Sequence, residues 1–232
     1  MPAAPESGGL CQSLRLHHVD RDLLVIDKPA GLLAVPGKGP DKQDCLSARV
    51  QQRYPDARVV HRLDMATSGL MLMARTAAAQ RLLSQAFALR QVHKRYVAVV
   101  CGHLTTPLDA ANGWSLIDRP IAVDWPRRPV RVIDTLHGKP SQTRWKIDNG
   151  HGPVSTAEQG TSTRLLLEPL TGRSHQLRVH LQALGHPILG DALYADAAVA
   201  AGSDRLLLHA SALGFTHPVT GHWLAFESPA PF

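Results

Sequence analysis

Val59-Val60-His61-Arg62-Leu63-Asp64-Met65-Ala66-Thr67-Ser68-Gly69-Leu70-Met71-Leu72-Met73 is the stretch on which the reading of this chain turns. Its two apolar ends have the composition of short strands. Between them an acid, a base, two hydroxyls and a glycine fall within nine residues, a pattern that predicts a turn lifted from a sheet edge. Polar side chains on a loop held by two rigid strands are a common way to build a site, and Asp64 is its lead candidate.

Outward from that loop the pattern is mostly strands. Leu23-Leu24-Val25-Ile26 predicts a buried strand ended by Asp27-Lys28-Pro29, then a Gly/Pro-rich loop, then a helix from an Asp44 cap to about Arg53. After the Asp64 loop, Thr76 is placed to cap a helix with Leu82, Ala86 and Leu89 on its buried face. Tyr96 to Val100 is β-branched and predicts a strand closed by Gly102. Residues 103–129 form a Pro- and Trp-containing excursion, and residues 130–133, 143–147 and 164–167 predict further strands. Residues 148–162 read as a surface loop. Thr171-Gly172-Arg173-Ser174 leads into a helix with Leu177, Leu181 and Leu184 on one face and Gly185 at its end. Leu206 to Leu208 and Trp223 to Phe226 supply late strands. There is no internal repeat and no regular β–α alternation, so the expected class is α+β with a mixed, mainly antiparallel sheet. The expected organisation is a loose tail over residues 1–19 and one domain over residues 20–232.

The 232 residues are 44% hydrophobic and carry a formal charge of +6, a balance that favours a polyanionic partner. Cys11, Cys45 and Cys101 lie far apart with no CxxC spacing, which argues against a zinc knuckle and for a reducing cytosol. No apolar run reaches membrane-spanning length, and the first nine residues lack a signal-peptide pattern.

Local sequence leaves several chemistries to weigh at Asp64. A turn aspartate is most often a cap or turn-former. A hydrolase triad with His61 and Ser68 is rejected, because no Gly-x-Ser-x-Gly elbow occurs and triad members are normally distant in sequence. His175 and His180 are five apart and do not share a helical face as metal ligands would. Arg173 and Arg178 sit around a helix start, where anions are favoured. Arg62, Lys94, Arg95, Arg127, Arg128 and Arg131, with Trp125 and Tyr96, have the cation-plus-aromatic character of a single-strand RNA surface.

His61-Arg62-Leu63-Asp64 with Thr67-Ser68-Gly69 resembles the catalytic motif of the RluA family of RNA pseudouridine synthases. Asp27-Lys28-Pro29-Ala30-Gly31, Lys94-Arg95-Tyr96, the run from Thr171 to His180, Gly185-His186-Pro187-Ile188-Leu189-Gly190-Asp191 and Leu206-Leu207-Leu208-His209-Ala210 resemble the same family in the same order. The resemblance covers roughly residues 20 to 229. It implies the pseudouridine synthase fold, with a central RNA-binding cleft, flanking helices and no cofactor or metal. It also implies an isomerase in which Asp64 attacks the ribose or takes part in uracil elimination. Tyr96 would stack on uracil and help remove the C5 proton, and Arg173 would pair with Asp64. Arg62 would fill the stack left by the flipped uridine, which must leave the stack to expose its glycosidic bond. His61, Thr67, Lys94, Arg95, Trp125, Arg127, Arg128, His175 and Arg178 fall to RNA binding, and Leu207 or Leu208 to the apolar wall. Met65-Ala66 and Asp124-Trp125-Pro126 resemble the short branch of the family, which lacks an S4 domain and acts on a tRNA anticodon stem-loop and a 23S rRNA hairpin. A cytoplasmic monomer with RNA as its partner is the expectation. A degenerate RNA-holding chaperone module and a uridine glycosylase are the alternatives.

Overall fold

A computed structural model describes residues 14–107, 110, 112–149 and 161–232. Two neighbouring strands, β2 (Leu23–Lys28) and β4 (Ser68–Ala74), are apolar on both faces because both faces are covered. Leu70, Leu72 and Ala74 turn toward α2 (Ala77–Ala88), packing with Leu23, Val25, Ala79 and Leu83. Met71 and Met73 turn the other way, toward α1 (Leu46–Arg53), with Leu24, Ile26 and Val50. The period-2 alternation of a strand thus feeds two cores from one apolar run.

The remaining strands are β1 (Leu16–Val19), β3 (Arg58–Val59), β5 (His93–Cys101), β6 (Ser115–Asp118), β7 (Ile121–Val123), β8 (Arg131–Ile133), β9 (Gln142–Ile147), β10 (Ser162–Pro169), β11 (Leu208–Thr216) and β12 (Trp223–Glu227). Ten strands form one sheet with a main path of β1-β2-β4-β11-β5-β10-β9-β6, while β3 and β12 pair with β4 and β11. Among the described strands of this sheet only β4 and β11 run parallel; the other pairs are antiparallel. This is the mixed, mainly antiparallel α+β sheet expected. The β5–β10–β9 half is covered by α3 (Gln176–Ala183), whose Leu177 and Leu181 join Ala98, Val100, Leu165 and Leu167. β7 and β8 form a separate hairpin that rests on α3 through Ile121, Val179 and Tyr194.

Four local expectations need correction. The tail ends sooner than residue 19, because Leu16–Val19 pairs with β2; residues 1–13 lie outside the described residues. Cys45, not Asp44, caps α1, accepting from the Ala48 amide, and Asp44 pairs with Arg49 instead. The buried face of α2 is Ala79, Leu83 and Ala86, while Leu82 and Leu89 are exposed. Both sets share i, i+4, i+7 spacing, so periodicity alone does not separate them. β11 starts at Leu208, so Leu206 and Leu207 precede the strand. Most of the surface loop expected at residues 148–162 lies outside the described residues.

Candidate active site

The sheet register places the site. Lys28, Gly69, Ala210 and Tyr96 are successive partners across β2, β4, β11 and β5. The Asp64 loop enters β4 at one end of that row, and Tyr96 stands two strands away. Gly69 has φ +111, and a Cβ there would lie 2.3 Å from the Ala210 carbonyl oxygen. Only glycine permits this close approach of β4 to β11. The loop is also held from below. Lys28 is buried, and its Nζ donates to the carbonyls of Pro29, Leu32 and Met65 at 2.7–2.9 Å. Burial pulls its pKa down to about 7, against the opposing pull of Asp64. Three carbonyl acceptors call for three N–H donors, which only the ammonium form supplies.

Asp64 opens into a cleft of about 580 Å³, lined among others by Arg62, Thr67, Lys94, Tyr96, Arg173, His175, Arg178 and Leu208. Arg178, not Arg173, faces the carboxylate: Arg178 Nη1 lies 3.9 Å from Asp64 Oδ2. His175 Nε2 lies 4.0 Å from Oδ1. Arg173 is exposed at the cleft wall, with its Nε directed at the Pro140 carbonyl. The physical reason is the turn into α3. His175 caps the helix with φ 58, and that left-handed residue sends Arg178 inward while Arg173 stays outside. Arg178 is held by a two-pronged contact with buried Asp191, at 2.7 and 2.6 Å. Asp191 in turn accepts from the Leu193 and Tyr194 amides. Burial pushes the Arg178 guanidinium down, but Asp191 and then Asp64 more than reverse this, so its pKa is raised.

Tyr96 lines the cleft, and its hydroxyl has no hydrogen-bond partner among the described residues. Burial, with the Asp64 charge second, raises its pKa, so the group is a neutral phenol. Burial followed by Arg90 lowers Lys94. His61 reaches the cleft, but its Nε2 accepts from the Leu72 amide at 2.9 Å and its ring stacks on Phe87. Burial and then Lys94 push its pKa down to about 3. Thr67 is buried in the loop, and its amide donates to the Asp64 carbonyl.

Other expected RNA contacts stand outside this cleft. Arg95 points to the opposite face of β5 from Tyr96 and pairs with Glu168. Trp125 is 69% exposed on the β7–β8 connection, with the Arg128 guanidinium 3.3 Å from its ring centroid. Arg127 pairs with Asp124. Of the two leucines, Leu208 lines the cleft while belonging to the buried core cluster, and Leu207 is half-buried against that cluster, away from the cleft.

Sequence reasoning passed over Lys28, Asp191, Tyr194, Arg90 and Phe87. Lys28 and Asp191 lie inside quoted motifs, so a signal was there. Arg90 comes to the cleft because it leaves α2 with φ 61, which no periodicity announces. Among the described residues one cluster, Asp20, Asp22 and His217, has the spacing of a metal site. Its chemistry does not fit. His217 Nδ1 accepts from the Val219 and Thr220 amides, so Nε2 carries the ring proton and donates to Asp20. A nitrogen that carries a proton has no lone pair for an ion.

The family model for RNA pseudouridylate synthase matches residues 22–183. The chain is 46% identical over 213 residues to the dual-specificity RNA pseudouridine synthase RluA of Escherichia coli (strain K12), covering 92% of this chain and 91% of that one. It is 48% identical over 205 residues to the protein of the same name in Vibrio vulnificus (strain CMCP6), covering 88% and 78%. Among solved structures, human RNA pseudouridylate synthase domain containing 1 superposes with a TM-score of 0.76 at 31% identity, over 97% of this chain and 86% of that one. No helix among the described residues is long and apolar enough to cross a membrane. Motif order, sheet and sequence likeness agree, and the chain belongs to the RNA pseudouridylate synthase family, whose members are isomerases that turn uridine in RNA into pseudouridine.

Proposed function

We propose that this synthase acts on uridines displayed in RNA hairpins, a tRNA anticodon stem-loop and a 23S rRNA hairpin, with Asp64 as the reacting carboxylate. One observation carries the assignment. The Asp64 side chain is 22% exposed in the cleft, with two donors near 4 Å and neither within hydrogen-bond distance. Its oxygens are therefore open to a ligand while the Arg178 charge stays close.

The reaction breaks the C1′–N1 bond and forms C1′–C5; a proton leaves C5 and N1 gains one. Atoms and electrons balance, so no co-reactant is needed. A carboxylate serves either route, as nucleophile at the sugar or as base in elimination. The fixed Arg178 charge steadies it in both. Tyr96 supplies a ring face for uracil, and its neutral phenol accepts the C5 proton only by passing on its own. Arg62 enters the stack that the uridine leaves, a role supported by its exposure at the cleft. Trp125, Arg127 and Arg128 supply an outer grip on RNA. The dual-specificity naming of the relatives supports two substrates. Unpaired Cys45 and Cys101 support a reducing cytoplasmic setting.

The test is product analysis with both pre-folded hairpins in EDTA. Pseudouridine in each, with no free uracil, is expected. Released uracil would establish a glycosylase, and bound but unmodified RNA would establish a holding module.

A further inference from the structure

His175 and Tyr194 form a chain behind Asp64 that takes no part in the bond changes themselves. The Tyr194 hydroxyl lies 2.6 Å from His175 Nδ1, and the rings meet edge to face at 86°. The same oxygen accepts from the Arg131 amide at 2.9 Å. Tyr194 is only 5% exposed, and Nδ1 is the one acceptor among the described residues for its phenol proton. Nδ1 is therefore an acceptor, the ring proton sits on Nε2, and Nε2 is the atom that faces Asp64 Oδ1. Tyr194 is fixed at its other end too, because its amide donates to Asp191, the residue that holds Arg178.

We propose that Tyr194 is a positioning residue for isomerisation: it locks His175 in the Nε2–H tautomer, so that a donor rather than a lone pair faces the Asp64 carboxylate. This rests on the reading of Asp64 as the reacting group. The other neutral tautomer would set a lone pair against the carboxylate and push it out of line. Burial lowers the His175 pKa, as do Arg178 and Arg131, against Asp64 and Asp191, so the ring is neutral and its tautomer matters. The hydroxyl is itself held by the first residue of β8, so the lock depends on the hairpin that carries Trp125 staying docked on α3.

The test uses the full chain with ¹⁵N-labelled histidine and single-turnover kinetics on a hairpin RNA. In the wild type, His175 should show a protonated Nε2 and an unprotonated Nδ1 at neutral pH. Tyr194→Phe should give a mixture of tautomers, with turnover about tenfold to a hundredfold slower and unchanged RNA affinity. His175→Asn tolerates the left-handed backbone and removes the ring; it should be as slow, and the double variant no slower. A wild-type His175 carrying its proton on Nδ1 overturns the proposal without any variant. A folded Tyr194→Phe at full rate, or additive losses in the double variant, overturns it as well. An active Asp64→Asn would instead defeat the reading of Asp64, leaving the tautomer measurement to stand alone.

Discussion

The Asp64 cleft and the Trp125 connection both bring arginines and aromatics together, and they treat them in opposite ways. In the cleft Arg178 is 5% exposed and gripped by a fully buried carboxylate, and buried Lys28 ties the Met65 carbonyl of the loop beside it to those of Pro29 and Leu32. At the connection Trp125 and Arg127 stand 69% and 72% exposed, paired with their sequence neighbours Arg128 and Asp124. Charges that must act on one bond are fixed in low dielectric, where they are strong. Charges that meet a large polyanion are left exposed, where each contributes little and salt screens it.

The largest effect should come from Asp64→Asn. Pseudouridine formation should be abolished, while RNA affinity stays within about tenfold, or about 1.4 kcal/mol. Single-turnover product assays beside RNA titrations check both halves, and turnover near the wild-type rate would break the comparison. Tyr96→Phe keeps the stacking ring and loses the oxygen, so it should bind hairpin RNA normally and turn over at least about a hundredfold more slowly. A folded Phe variant at full rate would reduce Tyr96 to packing.

The next effect is on stability. His61 has a folded pKa of about 3 against an ordinary histidine value of 6.5. The unfolded chain therefore takes up a proton that the fold refuses. The stability His61 contributes is complete above pH 6.5 and is lost as pH falls toward 3. Denaturant unfolding of wild type and His61→Gln should show the wild type losing about 2 kcal/mol more between about pH 7 and pH 5. Parallel losses would mean that His61 is not held neutral. The smallest effect belongs to the exposed pair. Replacing both Arg127 and Arg128 by Gln should lower the slope of log affinity against log salt by at most about 1.4, with chemistry untouched. An unchanged slope would put them off the RNA path.

The strands, the Asp64 loop and most cleft residues were legible in the sequence because each follows from short-range pattern or sits in an ordered motif. What was not legible depends on where a turn aims a helix. Arg173 and Arg178 flank the same helix start, and the chain turns between them at left-handed His175, with Arg178 the one that reaches Asp64. The buried face of α2 shows the same difficulty: two apolar sets share one spacing and Ala86, and only the packing of Ala79 and Leu83 on Leu70 and Leu72 tells them apart. Trp125 stands 69% exposed on the β7–β8 connection with the Arg128 guanidinium over its ring, a pairing that no short-range pattern in the Pro-containing excursion announces.

The most direct test compares Arg178→Lys with Arg173→Lys in single-turnover kinetics on one hairpin RNA, with affinity measured alongside. Lysine keeps the charge but cannot hold Asp191 with two prongs and still face Asp64. The account predicts that Arg178→Lys forms pseudouridine at least about tenfold more slowly at saturating RNA, with affinity little changed. Arg173→Lys should keep the wild-type rate and alter only binding or its salt dependence. The reverse pattern, a slow Arg173→Lys beside an Arg178→Lys at full rate, would contradict the assignment of the buried guanidinium to the chemistry.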